Sequence, residues 1–193
     1  WKTAGEDDVI RKLNFSYDKV NRLLTGTYYQ SVSSNLDFTT RGLSYDANGN
    51  IVTMTQVGWK PDAKFILDSL HYQYFTKSNR LQRVFDRSNN PNSLQGDFKT
   101  SANHTQAKTT STIDYDYDVN GNLQKDLNKD IATTTGATGI TYNHLNLPSV
   151  INVRKTTSAN RGTITYAYDA GGNKISKKTV DISTTGKTIT TTT

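Results

Sequence analysis

A six-residue sequence, Tyr-Asp-x-x-Gly-Asn, occurs three times in this chain of 193 residues, beginning at Tyr45, Tyr117 and Tyr168. Three weaker copies begin at Tyr17, Tyr74 and Tyr142. Successive anchor tyrosines are separated by 28, 29, 43, 25 and 26 residues. Self-similarity at a nearly fixed period indicates a repeat architecture, in which each repeat is one supersecondary unit. We therefore expect an array of similar units rather than a domain built around one special site.

Each copy begins with strict alternation of apolar and polar residues. The residue two positions before each anchor is apolar or aromatic, in turn Phe15, Leu43, Tyr72, Tyr115, Ile140 and Tyr166. The residues between these positions and the anchors are mostly polar, as at Ser44, Gln73 and Asp116. A period of two places successive side chains on opposite faces of a strand. The pattern predicts strands with one aromatic face and one polar face.

The residues after each anchor predict a chain reversal. Asn48-Gly49 and Asn120-Gly121 are dipeptides that tolerate the positive φ angles of tight hairpin turns. The motif aspartate can accept a backbone N–H two residues further on, and this role in the turn explains it better than catalysis or metal binding does. The repeated motif consists of Tyr17, Asp18, Tyr45, Asp46, Gly49, Asn50, Tyr74, Tyr117, Asp118, Gly121, Asn122, Tyr142, Tyr168, Asp169, Gly172 and Asn173.

These patterns predict an all-β fold of about a dozen short strands, arranged as a strip of antiparallel β-hairpins in one curved sheet. We expect repeat units near residues 13–30, 41–58, 70–86, 113–130, 139–153 and 164–181. The long interval before Tyr117 contains a polar segment over residues 87–108, which we expect to be an inserted, mobile loop. The threonine-rich stretch at residues 188–193 favours a strand, but the sequence gives it no identifiable partner.

The run from Tyr115 to Leu123, Tyr-Asp-Tyr-Asp-Val-Asn-Gly-Asn-Leu, resembles the YD repeat of Rhs proteins, of the toxin-encasing subunits of insecticidal toxin complexes, and of teneurins. The resemblance implies a strip of hairpins that spirals into a hollow shell, with tyrosines packed along the sheet. It also implies a segment of a longer bacterial protein, secreted or on the cell surface, whose shell encloses a C-terminal toxin or effector, as in polymorphic toxins. No residue matches the family's autoproteolytic site, so no cleavage residue is carried over.

Composition limits the other possibilities. Only 33% of residues are hydrophobic, against roughly 45–50% in a typical domain, so a thick two-sided core is not expected. No apolar run approaches the ~20 residues of a membrane-spanning helix, and we expect no membrane insertion by this segment. There is no cysteine and hence no thiolate site. The net charge is +6, but the lysines and arginines are scattered, which does not indicate nucleic-acid binding.

Two groups of residues are candidates for metal or catalytic sites. Asp114, Asp116 and Asp118 resemble the start of a calcium loop, but Leu127 stands where the bidentate glutamate belongs. The alternative is that these carboxylates line the polar face of a strand, near Asp126 across the hairpin, where a weakly held surface cation remains an option. His71, His104 and His144 have no spacing that indicates a zinc site or a general base.

We therefore expect a non-enzymatic structural scaffold without cofactors. Its partners are the remainder of its own shell and an enclosed C-terminal passenger, as the family resemblance implies. The alternative is an extracellular adhesion or carbohydrate-binding module that binds surface glycans, with Trp1 and Trp59 as sugar-stacking platforms. Packing within the sheet is the competing explanation for both tryptophans.

Overall fold

A computed structural model describes residues 9–32, 36–60, 63–88, 96–182 and 189–192. The chain divides into two compact units, residues 1–99 and 100–193. Both consist of antiparallel strands, which confirms the all-β, antiparallel fold class, but the described strands form three sheets rather than the one sheet predicted. In the described part of the chain, no helix has the length and apolar character that crossing a membrane would require.

The first unit is one sheet of six strands that follow one another in chain order. Each strand pairs with the next through an antiparallel ladder, so β1 and β6 form the two edges. The strands are β1 Arg11–Tyr17, β2 Leu23–Gln30, β3 Thr40–Tyr45, β4 Ile51–Lys60, β5 Ala63–Tyr74 and β6 Leu81–Asp86.

The second unit contains a five-stranded sheet and a separate hairpin. The sheet order is β13-β12-β11-β10-β9, and β7 pairs with β8. Ile131 bridges Asp126 at the end of β8 to Val153 in β10. The strands are β7 Tyr115–Tyr117, β8 Leu123–Asp126, β9 Ile140–Tyr142, β10 Pro148–Thr156, β11 Ala159–Tyr168, β12 Lys174–Asp181 and β13 Ile189–Thr192, and a 3₁₀ turn spans Leu127–Lys129.

The predicted apolar face is buried in the middle of the first sheet and exposed at its edge. Leu43 and Leu70 are 9% and 5% exposed, whereas Phe15 on the edge strand β1 is 55% exposed. On the opposite face, hydroxyl pairs join neighbouring strands of a hairpin, as in Ser16–Thr25 at 2.7 Å and Ser44–Thr53 at 2.6 Å. The alternation in the sequence therefore separates a packing face from a polar face.

The structure corrects the prediction for the end of the chain. Residues 189–192 do have a partner, because β13 pairs with β12 from Asp181↔Ile189 to Lys178↔Thr192. Thr188 and Thr193 lie outside the described residues. A stretch of threonines has no alternation from which a register could be read.

The segment predicted as an inserted loop contains no strand in its described part beyond residue 86, but much of it is bonded to the rest of its unit. The backbone N–H of Ser101 donates to the carbonyl of Asn128, and Asn103 donates to the carbonyl of Lys155. His104 and Lys108 both contact Asp114. These contacts argue against mobility for residues 101–108. Residues 89–95 lie outside the described part of the chain.

Candidate functional site

The anchor tyrosines occupy the same place in every hairpin, the last residue of the outgoing strand. They end β1, β3, β5, β7, β9 and β11 at Tyr17, Tyr45, Tyr74, Tyr117, Tyr142 and Tyr168. Most of the return strands begin at an apolar residue, among them Leu23, Ile51 and Leu123. The last one, β12, begins at Lys174, immediately before the apolar Ile175. The motif residues therefore lie together at the turn end of each hairpin.

The motif aspartate organises the turn through three hydrogen bonds. Oδ1 of Asp46 accepts the backbone N–H of Asn48 at 2.9 Å and that of Asn50 at 2.8 Å. Oδ2 accepts the side-chain amide of Asn50 at 2.8 Å. The first of these bonds is the one predicted from the sequence. Equivalent bonds occur at Asp118 and Asp169.

The turn is not the two-residue hairpin turn in which both Asn48 and Gly49 would have a positive φ. Only Gly49 has a positive φ, at 87°. Its N–H donates to the carbonyl of Asp46, and the N–H of Asp46 donates to the carbonyl of Asn50. This pattern is a four-residue turn whose last residue is left-handed, with a bulge where the return strand begins. The left-handed residues of the other turns with this pattern are Asn21, Gly121, Asn146 and Gly172.

The third turn is one residue longer and uses other groups. Phe75 takes the place of the aspartate, and its N–H donates to the carbonyl of Arg80 rather than to the residue four positions on. Ser78 accepts the backbone N–H of Arg80 through its hydroxyl at 3.0 Å. Lys77 adopts the positive φ, at 55°. A serine and a longer loop thus replace the aspartate of the other turns.

Within each unit, anchor hydroxyls bond a hairpin to the one before it. Tyr45 donates its hydroxyl to the carbonyl of Leu23 at 2.7 Å, and Tyr74 donates to the carbonyl of Ile51 at 2.9 Å. In each case the acceptor is the first residue of the preceding return strand. The second unit repeats the arrangement with Tyr142 to Leu123 at 2.7 Å and Tyr168 to Pro148 at 2.9 Å. The sequence patterns did not predict this bond, although the fixed position of tyrosine in each motif was its signal.

Asparagine side chains connect neighbouring turns within each unit. Oδ1 of Asn79 accepts the side-chain amides of Asn48 and Asn50, at 3.0 and 2.9 Å. Asn146 accepts those of Asn120 and Asn122 in the same way, at 3.0 and 3.1 Å. In the first pair of hairpins, the guanidinium of Arg22 lies 4.5 Å from the ring centre of Tyr45, which is a cation–π contact. Within each unit, these contacts join neighbouring turns into a row along one end of the strands.

Hydrogen bonds to the turn aspartates lower the pKa of their carboxyl groups. The side-chain amides of Asn50 and Asn173 are the main cause at Asp46 and Asp169. At Asp18 the backbone N–H of Arg22 is the main cause. Partial desolvation opposes the effect at Asp118, but the bonds from Asn122 and from the turn backbone outweigh it. A carboxylate that accepts several N–H bonds is favoured in its charged form.

The structure separates the three aspartates weighed as the start of a calcium loop. Asp118 is bonded within its turn, and Asp116 forms an ion pair with Lys125 at 3.1 Å. Asp114 is fully buried rather than on a polar face. Asp126 lies opposite Tyr115 in the ladder and not opposite Asp116. These carboxylates therefore do not converge on one cation.

Asp114 is instead the centre of a buried ion cluster that the sequence did not predict. Its Oδ1 lies 2.7 Å from Nε2 of His104, and its Oδ2 lies 2.7 Å from Nζ of Lys108. The lysine side chain is 1% exposed and also donates to Oδ1 of Asn128 at 2.6 Å. Each buried charge thus has a partner, so the cluster serves to hold residues 104–108 in place.

The other histidines lie apart from this cluster. His71 is in β5, where burial, followed by the charges of Arg87 and Arg83, lowers its pKa. His144 lies in the turn between β9 and β10. Trp59 is half-buried near the end of β4, and Trp1 lies outside the described residues.

No protein-family model and no curated protein matches this chain.

Proposed function

We propose that the chain is a non-enzymatic structural scaffold, part of the wall of a YD-repeat-like shell that encloses a C-terminal toxin or effector. The protein would be secreted or displayed on a bacterial cell surface. The observation that carries the proposal is the hydroxyl-to-carbonyl bond from Tyr45, Tyr74, Tyr142 and Tyr168 to the preceding hairpin. A wall built by adding hairpins needs a joint of this kind, repeated at each addition.

The distribution of polar groups also suits a wall. The turn aspartates are taken up by hydrogen bonds within their own turns, and the buried charges of the second unit are paired. These groups stabilise the backbone and are not directed at a substrate. The enclosed passenger is proposed from the resemblance of the repeats to the YD family. This part of the proposal therefore rests on an analogy of fold and not on a site in the structure.

The test is limited proteolysis of the complete parent protein, including the polypeptide that follows the repeats. We expect that polypeptide to resist digestion inside the intact protein and to be digested when expressed alone. The doubly substituted protein Tyr45→Phe/Tyr74→Phe should lose part of the protection, because two joints are weakened. Tyr29→Phe is the control. Digestion at the same rate with and without the repeats would overturn the proposal.

A second candidate is an extracellular module that binds carbohydrate. Phe15 and Tyr17 favour it, because both side chains lie on the same face of β1 and are 55% and 56% exposed. Exposed aromatic rings can stack on sugar rings through their apolar faces. Glycan-array binding that is lost in Phe15→Ala/Tyr17→Ala would support this function. An array without binding by the unsubstituted protein would remove it.

A further inference from the structure

Two aspartates of the first unit lie on the face of the sheet that is otherwise apolar. Asp68 precedes Leu70 and Tyr72 by two and four positions in β5, so the three side chains share a face. Asp86, two positions after Val84 at the end of β6, is paired with Leu70 in the ladder and therefore lies on the same face. Asp68 and Asp86 are only 4% and 8% exposed. Carboxylates at such positions cost free energy unless something compensates their charge.

A third carboxylate completes the group. Asp97, from the segment that follows β6, approaches Asp68 and Asp86 so that one oxygen from each residue lies within 4.8 Å of the others. The approach is fixed by the backbone, because the N–H of Phe98 donates to Oδ1 of Asp68 at 2.8 Å. Oδ1 of Asp86 accepts the N–H groups of Ser69 and Ser88 at 2.7 and 2.9 Å.

The remaining oxygens point to a missing ligand. Oδ2 of Asp86 and both carboxylate oxygens of Asp97 are buried, and no hydrogen-bond donor in the described residues reaches them. Buried acceptors in folded proteins are nearly always satisfied, and an unsatisfied one indicates a place where a water or an ion binds. Partial burial, followed by the charges of Asp86 and Asp68, raises the pKa of Asp97. The group therefore favours a species that brings positive charge.

We propose that Asp68, Asp86 and Asp97 bind one calcium ion. Oxygens that share a Ca²⁺ ion lie at ~2.4 Å from it and so within about 5 Å of one another, which the 4.8 Å limit satisfies. Mg²⁺ needs closer oxygens at ~2.1 Å in octahedral geometry and gives up its waters reluctantly. Ca²⁺ tolerates irregular coordination, and water and backbone carbonyls complete its shell of six to eight oxygens.

The ion has a structural role. It joins the centre of β5, the end of β6 and the segment at Asp97, and so fastens residues 97–98 to the apolar face of the sheet. This site is independent of the turn row and of the proposed shell, because none of its three residues belongs to the repeated motif.

The test uses the full chain after treatment with EDTA. Calcium chloride is titrated by calorimetry, and the melting temperature is measured with and without it. We expect binding with Kd between about 10⁻⁶ and 10⁻³ M and a rise of several degrees in Tm at saturating calcium. Magnesium chloride at equal concentration should give a smaller shift. Terbium should show luminescence sensitised by Tyr72, which shares the face of Asp68.

Three variants decide whether the trio is the binding site. Asp86→Asn and Asp97→Asn should weaken calcium binding by about tenfold or more, since each removes ligand charge. Asp116→Asn, an aspartate of the second unit paired with Lys125, should bind calcium as the unsubstituted protein does. The proposal is overturned if the unsubstituted protein binds no calcium. It is also overturned if Asp97→Asn raises Tm without calcium and leaves calcium binding intact, because the trio is then a proton-sharing group.

Discussion

Asn143 occupies the position of the turn aspartate in the fifth hairpin. Its Oδ1 accepts the backbone N–H groups of Leu145 and Leu147 at 2.9 and 3.0 Å, the same two bonds that Asp46 makes in the second hairpin. A neutral acceptor is therefore sufficient for the backbone of the turn. The second oxygen of the aspartate adds the bond to the Asn50 amide, and its charge makes the turn sensitive to pH.

The first prediction concerns how the stability of the protein depends on pH. The pKa of Asp46 is lowered in the folded state from its usual 3.8, so its contribution to stability is present above that value and is lost as pH falls through the lowered pKa. The free energy of unfolding of Asp46→Asn should lie below that of the unsubstituted protein near neutral pH. The difference should shrink in acid. Urea denaturation at a series of pH values from about 7 down to about 2.5 measures this difference.

The reverse exchange provides the matched control. Asn143→Asp should introduce a pH dependence of the same sign in the fifth turn. It should be weaker, because Leu147 offers no side-chain donor to the second oxygen. Parallel pH profiles for the unsubstituted protein and both variants would show that the turn carboxylates do not contribute.

At the scale of the elements, the tyrosine hydroxyls bond one hairpin to the next. Tyr74→Phe removes the hydroxyl that reaches the carbonyl of Ile51 and leaves the ring in place. We expect a loss of about 1 kcal/mol, the usual net value of one hydrogen bond. The loss should appear as a lower urea midpoint with an unchanged m-value. Tyr29→Phe, at a half-exposed tyrosine for which the described residues supply no hydroxyl acceptor, should change the midpoint little. Equal shifts of the urea midpoint in the two variants would contradict the role of the Tyr74 hydroxyl as a bond between hairpins.

The buried ion pair of Asp114 and the half-exposed ion pair of Asp116 should contribute very differently to stability. Asp114→Asn leaves the buried ammonium of Lys108 without its carboxylate, and we expect a loss of about 3–5 kcal/mol. Asp116→Asn, at the half-exposed pair with Lys125, should cost no more than about 1 kcal/mol. Thermal unfolding of the two variants compares them directly. Similar small losses would mean that the loop is not held by its ion cluster.

Sequence patterns predicted the elements because those patterns are local. Leu43, Leu70, Tyr115 and Ile140 all lie on the predicted apolar face, and all are buried. The turn at Gly49 was predicted in place but with another geometry, because Asn-Gly suits both a two-residue turn and a turn with a bulge. Local composition cannot distinguish these alternatives, of which only the two-residue turn needs a positive φ at Asn48.

The aspartate trio and the buried ion cluster were not predictable from the sequence, because their contacts are not local. Asp68, Asp86 and Asp97 come from three segments and follow no ligand spacing. Asp114 was expected on the polar face of a strand, whereas it is buried against His104 and Lys108, which come from a loop without periodicity. Contacts of this kind depend on where a loop folds back, and neither alternation nor turn residues encode that.

At the scale of the whole molecule, the edge strand β1 governs association. Its apolar face carries Leu13 and Phe15, 37% and 55% exposed, and among the described strands β1 pairs only with β2. An exposed edge with an apolar face is a template for pairing with another sheet. We therefore expect the weight-average mass in light scattering to rise with protein concentration.

A charge on the apolar face should suppress that association. Phe15→Lys is expected to keep the protein monomeric over a wider range of concentration. Asn14→Lys places the same charge on the opposite face of β1 and should have less effect. A monodisperse monomer of the unsubstituted protein at all concentrations would contradict the prediction, as would equal effects of the two lysines.

The tyrosine bonds have a consequence for how the chain is made. Each donor lies only 19 to 23 residues after its acceptor, and the acceptor always belongs to the hairpin before it. A ribosome releases that earlier hairpin first, so each newly emerged tyrosine meets a carbonyl that is already in place. Contacts this close in sequence close quickly. The sheet can thus lengthen at the pace of translation, one hairpin at a time, without waiting for the end of the polypeptide.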